Sequence, residues 1–389
     1  MPARKHRVCV VTGSRSDYGL LYWVMREIGG CDDLELQTVV SGMHLSPEFG
    51  LSVAAVEADG FRIDARVEML LSSDTGQGIG KSIGLGAIGF ADAYAHLQPD
   101  LVLVLGDRFE TLAAVAAALA ARIPVAHVAG GDLTEGSFDD SIRHAITKLS
   151  HLHLVTNEAA AQRVRQLGEQ AASVHVVGSP GIDYLRKSVL LDREALARDL
   201  GYRFLERNLL VTFHPPTAAP GEAAAQFAEL LAALDGLGSG YGLLITYPNA
   251  DNESRELIAM LERFVADHGN ARAYPSLGQQ RYLSAMAAVD VLVGNSSSAL
   301  YEAPTLRKPA VNIGDRQTGR LKAASVVDAA PARAAIRQAI DRAYALDCSA
   351  VVNPYGDGRS AERIVSILRA LGDPKALLRK RFADSGPAC

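Results

Sequence analysis

At 389 residues, 48% of them hydrophobic and with a net charge of −5, the chain is long enough for two domains and is composed like a globular protein. No basic face or stripe marks a nucleic-acid footprint, and no apolar run approaches the roughly 18 residues that a membrane span requires. Four dispersed cysteines (Cys9, Cys31, Cys348 and Cys389) without C-x-x-C spacing predict reduced thiols and a cytoplasmic setting.

The first strand signal is "RVCVVT", whose apolar run of about five residues is too short for a secretory signal. A helix is predicted over 18–28, then strands at "ELQTVVSG" and "FRIDARVEM", a helix over 79–97 and the strand "DLVLVLGD". A helix over 109–122 leads to "PVAHVAGG", and one over 141–149 leads to "LHLVTN". These strands are apolar throughout instead of alternating, the pattern of a parallel sheet covered by helices on both faces. That is a doubly wound α/β domain. After "VHVVGSPGID" and the polar helix "DREALARDLGY" the pattern restarts with "NLLVTFH", "GLLITYP", "ARAYP", "DVLVGN" and "PAVNI" as strands. The reading predicts domains over 1–187 and 188–372, with the late helix "RSAERIVSILRAL" a candidate to pack back on the first. Residues 373–389 read as a weakly ordered tail, its "LLRKRF" a solvated helix end.

Ligands of open parallel sheets bind beyond the carboxyl ends of the strands, and the polar clusters of this chain fall there. "GSRSDYG", "GDRFE" and "HVAGGDLTEGSFDDSIRH" do so in the first half, and "HPPT", "YPNAD", "GNSSS" and "GDRQTGR" in the second. Such a distribution predicts one cleft between two facing domains. In "GNSSSALYEAP" small residues open a helix, whose free N–H groups and dipole suit an anion. Ser296 and Ser297 add hydroxyls and Glu302 is a ribose acceptor, although an ordinary serine N-cap explains the same letters. Arg15 in "GSRSDYG" grips a diphosphate or caps its loop. Neither stretch has the G-x-G-x-x-G or P-loop spacing, which argues against NAD and ATP-hydrolysing chemistry.

His214 in "FHPPT" sits at a strand end stiffened by prolines. His127 reads as a satisfied strand residue, and His151 and His153 as core residues without metal-ligand spacing. Asp107 follows a buried strand, where burial and Arg108 pull its pKa in opposite directions. Asp132, Asp139 and Asp140 lie after the next strand. Acids from neighbouring strand ends can share proton-transfer work; loop caps or an ion pair with Arg143 are the alternatives.

Together these motifs resemble the hydrolysing UDP-N-acetylglucosamine 2-epimerases of sialic and legionaminic acid biosynthesis. The resemblance runs from "GSRSDYG" through "GDRFE", "GGDLTEGSFDDSIRHAITKLSHLH", "HPPT" and "YPNAD" to "GNSSS…E", "NIGDRQTGR" and "YGDG". It implies a GT-B-like α/β fold of two Rossmann-like domains, with the nucleotide held mainly by the second. It also implies a nucleotide-activated amino sugar, UDP-linked in the first instance, no cofactor or metal, and a homodimer or homotetramer. In the implied reaction UDP leaves C1 as the C2 proton is lost, giving a glycal. Water then adds and releases an N-acetylmannosamine-type sugar.

Position by position, Arg15, Asn249, His214, Ser296, Ser297, Glu302 and Arg316 match the family's nucleotide and diphosphate contacts, and Asp107 and Asp139 its catalytic acids. Where many members read H-I-E-G-G-E, this chain reads His127-Val128-Ala129-Gly130-Gly131-Asp132. Alanine cannot transfer a proton, so Asp132 joins Asp107, Asp139 and His214 in the candidate catalytic set. The departure points toward a 2,4-diacetamido sugar on UDP or GDP. A GT-B glycosyltransferase, a hydrolase that leaves C2 uninverted and a silent nucleotide-sugar sensor are the rival readings; "DDSIRHAITKLSHLH" argues against the first and Ala129 is the basis of the last.

Overall fold

A computed structural model describes residues 4–73, 75–134, 138–215, 221–248 and 254–384. The chain divides into two units, one comprising residues up to Tyr184 and again from Tyr355 onward, the other Leu185–Pro354. The breaks therefore fall at 184/185 and 354/355, where the sequence suggested 187/188 and 372/373.

The first unit begins β1 (His6–Thr12), α1 (Arg15–Gly29), β2 (Leu34–Ser41), α2 (Val53–Ala58), β3 (Ala65–Val67), α3 (Gly76–Leu97) and β4 (Leu101–Leu105). It continues with α4 (Phe109–Ala120), β5 (Val125–Val128), α5 (Phe138–Leu149), β6 (Leu152–Val155), α6 (Glu158–Gln166), β7 (Val174–Val176) and α7 (Pro180–Lys187), the last crossing into the second unit. The strands form one parallel sheet in the order β3-β2-β1-β4-β5-β6-β7. Successive residues of a strand point to opposite faces. Val8 and Val10 accordingly bury in a layer with Leu21, Val24 and Ile28 of α1, while Cys9 and Val11 bury in another with Phe90 of α3 and Val115 of α4. Two covered faces explain why the strands read as unbroken apolar runs.

The second unit runs α8 (Arg193–Leu200), β8 (Arg207–Thr212), α9 (Ala223–Asp235), β9 (Tyr241–Thr246), α10 (Ser254–Asp267) and β10 (Ala271–Tyr274). Then come α11 (Gly278–Ala288), β11 (Val291–Gly294), α12 (Ser298–Tyr301), β12 (Ala310–Ile313), β13 (Val326–Ala329) and α13 (Arg333–Ala345). Its parallel sheet has the order β10-β9-β8-β11-β12-β13. Leu209, Val211 and Phe213 pack against Phe227 and Leu230 of α9 and Ile336 and Ile340 of α13. The sequence suggested five strands here; the sixth, β13, escaped because it is a short edge strand, "VVDA", with only Val327 buried.

Beyond Pro354 the chain returns to the first unit, and α14 (Ser360–Ala370) packs on α1. Fully buried Asp183 caps it, accepting from the N–H groups of Ser360 (2.9 Å) and Ala361 (2.6 Å). The "YGDG" motif serves this junction: a Cβ on Gly356 would lie 3.1 Å from the Cα of Gly178. The stretch after Gly372 is a packed part of the unit as far as 384, not a loose tail. Lys380 Nζ donates to the carbonyls of Lys148 and Ser150, each at 2.6 Å, and pairs with Glu169 at 2.8 Å. Buried Glu169 also takes Lys148 Nζ at 2.8 Å and His153 Nε2 at 3.0 Å. Burial works to raise its pKa, and the three partners outweigh it and hold the carboxyl at about 2. The basic cluster read as solvated because its acceptors lie more than two hundred residues away. Among the described residues no helix is long and apolar enough to cross a membrane.

Candidate functional site

In both sheets the connections run in opposite directions from one central pair of strands, β1/β4 in the first and β8/β11 in the second. The loops leaving such a pair separate and open a crevice for ligands.

At the first switch point Ser14 caps α1, its Oγ accepting from Asp17 N–H at 3.3 Å, in an S-x-x-D capping arrangement. Burial pushes the Asp17 carboxyl up to about 6, against the pull of Arg108 and Ser14. After β4, Gly106 turns the chain at φ +76°, and Arg108 stands at the N-cap of α4. Its guanidinium grips Glu110 in bidentate fashion, at 2.8 and 3.2 Å. Glu110 is 1% exposed and fills the space beneath Gly42, where a Cβ would lie 2.8 Å from it. Burial disfavours the Arg108 charge, but Glu110, Asp17 and Asp139 outweigh burial and raise its pKa.

Asp107 pairs with Arg143 of α5 and not with its neighbour Arg108, which Glu110 already occupies. Arg143 also donates to Thr134 Oγ1 at 3.0 Å. Thr134 N–H in turn donates to Asp140 at 2.7 Å, and Asp140 lies 3.5 Å from His144 Nε2. The "GDR" and "DDSIRH" motifs thus form one network, with Asp139 in the first turn of α5 and within electrostatic reach of Arg108. Glu110 and Asp17 were not singled out from sequence, and Arg108 was read only as a neighbour acting on Asp107; the S-x-x-D spacing and the second acid of "GDRFE" were the available signals.

His127 is fully buried between the Gly106 carbonyl (2.8 Å) and Thr147 Oγ1 (3.2 Å), and burial pushes its imidazole down to about 3. It is a neutral structural histidine. Asp132 accepts from Thr156 Oγ1 at 2.6 Å and Asn157 Nδ2 at 3.4 Å, which ties it to the loop after β6. Ala129 adopts φ +62°, donates its N–H to the Leu154 carbonyl at 3.1 Å and packs on an apolar cluster. The methyl group stands at the position where the family resemblance leads one to expect a carboxylate.

At the second switch point Gly294, at φ +143°, lies so close to β8 that a Cβ would overlap the Thr212 carbonyl oxygen. Asn295, 1% exposed, accepts from His214 N–H and donates to the His214 carbonyl, both at 2.8 Å. Its own carbonyl receives Gln317 Nε2 at 2.8 Å and Arg316 Nη1 at 3.4 Å. His214, Asn295 and Arg316 are therefore held as one group, with Asn295 the member that sequence reading passed over.

Beside them lies a cluster of hydroxyls. Ser298 Oγ is 2.9 Å from Ser296 Oγ and 2.6 Å from Tyr282 Oη, and Thr212 Oγ1 is 2.8 Å from Thr246 Oγ1. The helix expected after "GNSSS" is a single turn, α12, with Ser297 at its N-cap position. Its dipole is correspondingly small, and hydroxyl and local N–H donors carry the capacity to hold an anion. Glu302 ends that turn, and burial pushes its carboxyl up to about 7. Arg15 is exposed in the first turn of α1. Asn249 lies outside the described residues.

Comparison with known proteins gives a match to the family model described as UDP-N-acetylglucosamine 2-epimerase over residues 26–369. The GDP/UDP-N,N'-diacetylbacillosamine 2-epimerase (hydrolyzing) of Campylobacter jejuni is 37% identical over 325 residues, spanning 83% of this chain and 84% of that one. The UDP-N,N'-diacetylbacillosamine 2-epimerase (hydrolyzing) of Legionella pneumophila is 32% identical over 374 residues, or 96% and 98% of the two chains. Among solved structures, the UDP-GlcNAc 2-epimerase of Neisseria meningitidis bound to UDP-GlcNAc superposes with a TM-score of 0.76 at 17% identity, over 94% of this chain and 100% of that one.

Proposed function

Since the chain belongs to the UDP-N-acetylglucosamine 2-epimerase family and is an enzyme of its hydrolysing kind, we propose that its substrate is a UDP- or GDP-linked 2,4-diacetamido sugar. Water cleaves it to the nucleoside diphosphate and the free sugar inverted at C2, in the cytoplasm. The names of the Campylobacter and Legionella relatives support this substrate class. The joining of Asp107 to Arg143, which unites the loop after β4 with α5, is the observation that carries the chemistry.

In the first stage the C2 proton passes to a carboxylate of the Asp107 and Asp139 pair. The C2–H electrons become the C1=C2 bond, and the C1–O electrons depart with the diphosphate. In the second, water adds its hydroxyl to C1 and passes its proton to a carboxylate, while a carboxylic acid returns a proton to the opposite face of C2. Arg143 orients Asp107, and Arg108 stands with Asp139. His214, Arg316, Ser296 and Ser297, with Arg15 and Asn249, receive the diphosphate charge as it grows; Glu302 accepts from the ribose. Asp132 anchors the loop after β5 in place of transferring a proton.

Ala129 is the basis of one competing reading, a silent nucleotide-sugar sensor, and hydrolysis that leaves C2 uninverted is another. Incubation with UDP-N-acetylglucosamine and with UDP- and GDP-linked diacetamido sugars in D2O, followed by NMR, decides between them. The expected product is a manno-configured diacetamido sugar carrying deuterium at C2. Release of an unlabelled, uninverted sugar replaces epimerisation with simple hydrolysis, faster turnover of UDP-N-acetylglucosamine overturns the diacetamido assignment, and no release at all leaves a sensor.

A further inference from the structure

Inversion at C2 needs proton-transfer groups on two sides of the sugar, because the hydrogen leaves one face and returns to the other. Asp107 and Asp139 stand on one side only. Asp107 precedes α4 and Asp139 opens α5, and both helices cover the same face of the first sheet: Val115 and Ile146 bury in one layer with Cys9 and Val11. Helix α1 covers the opposite face, with Leu21 and Val24 packed on Val8 and Val10. Asp17, in the first turn of α1, thus rises across the β1/β4 crevice from that pair.

The two sides meet at the mouth of the crevice. A Cβ on Gly13 would lie 3.3 Å from that of Glu110, so the loop after β1 rests on the first turn of α4. Arg108 stands between the acids, since Asp17 and Asp139 both act on its charge. The loop after β5 offers no second acid: position 129 is alanine, and Asp132 is bound to Thr156 and Asn157.

We propose that Asp17 is the acid that returns the proton to C2, on the face opposite the Asp107 and Asp139 pair. This rests on the epimerase reading above and names the acid that it left open. Asp17 gives its proton to C2, the C1=C2 electrons form the new C2–H bond, and the oxygen of water closes on C1 while its proton passes to a carboxylate. Solvent then reprotonates Asp17. The surroundings suit a donor. Burial outweighs the attraction of Arg108 and the bonds from Ser14 and Gly13, Glu110 adds repulsion, and the carboxyl is held up to about 6. Asp107 and Glu110, by contrast, are each bound to a guanidinium.

The full chain tests this in D2O with a UDP-linked diacetamido sugar, quenched after the first turnover and read by NMR. Wild type, Asp17→Asn, Asp17→Gln and Asp17→Glu are compared. Asp17→Asn should still release UDP on that turnover, with the glycal and its vinyl proton in place of the saturated sugar, whose formation falls about 10²-fold or more. Asp17→Glu should restore part of the saturated, C2-deuterated product. Asp17→Gln keeps the glutamine form of the helix cap and decides alone where circular dichroism shows Asp17→Asn unfolded. Wild-type amounts of saturated sugar in the amide variants overturn the proposal, as does joint loss of UDP and sugar without glycal. An uninverted, unlabelled sugar from wild type overturns the epimerase reading itself, and this assignment with it.

Discussion

The two units solve the same backbone problem and furnish it with opposite chemistry. Each builds a parallel sheet whose first six strands follow the same serial order, and each gathers polar side chains where that order reverses. Around β1 and β4 the groups are acids gathered on arginines: Asp17, Glu110 and Asp139 around Arg108, and Asp107 on Arg143. Around β8 and β11 they are mostly neutral, with Asn295 bridging to His214 and a cluster of serine, threonine and tyrosine hydroxyls beside it. Fold settles where a ligand can sit, and side chains settle what is done to it. Coupled charges suit proton transfer; oriented neutral donors suit holding an anion without discharging it.

Removing charge at the first switch point should therefore strike the rate. Asp107→Asn and Asp139→Asn should each lower kcat by about 10²–10⁴-fold, while calorimetric affinity for UDP stays within roughly twofold. Asp132→Asn belongs on the other side of that line, with near-normal kcat, because its partners are Thr156 and Asn157. An equal loss of UDP affinity in the first two variants would erase the division between the units.

Adding charge at the second switch point should strike binding. On the proposed assignment of the diphosphate to this segment, Ser297→Asp sets a carboxylate against it, and losing one charge-assisted contact typically costs about 1.5–3 kcal/mol, roughly ten- to hundred-fold in affinity. Calorimetry that returns the wild-type affinity would remove "GNSSS" from the site.

The smallest effect concerns pH. Burial raises the Glu302 carboxyl from its ordinary 4.5 to about 7, so between those values the folded chain holds a proton that the unfolded chain has lost. Its contribution is present below about 4.5 and declines as pH rises to about 7. Glu302→Gln keeps the neutral form at every pH and should narrow the Tm gap between pH 5 and pH 8 by roughly a few degrees. Superimposable pH–Tm curves for the two proteins would contradict this account of Glu302.

Where the chain signals itself locally, sequence reading reached it. The apolar runs of β1, β4, β5 and β8 are two-sided buried strands, and His127 reads as the satisfied core residue that its contacts with Gly106 and Thr147 make it. What stayed hidden was long-range. Arg143 and Arg108 are both plausible partners for Asp107 from sequence, and only folding, with Glu110 already on Arg108, decides between them. The one-turn length of α12 was obscured because its opening serines look the same before a long helix or a short one. Lys380 was taken for a solvated residue because nothing near it in sequence names Glu169.

The return of the chain to its starting unit sets the order in which the molecule can be made. Leu185–Pro354 is one uninterrupted stretch, whereas the unit that holds Asp107 and Asp139 needs α14 and Lys380 from the far end. At roughly 5–20 residues per second on the ribosome, the earlier half must wait on the order of ten to thirty seconds for its last pieces. The second unit to emerge can thus be the first to finish. Until then α1 lacks the helix that covers it, and the nascent first unit presents that apolar layer to whatever chaperone attends the exit tunnel.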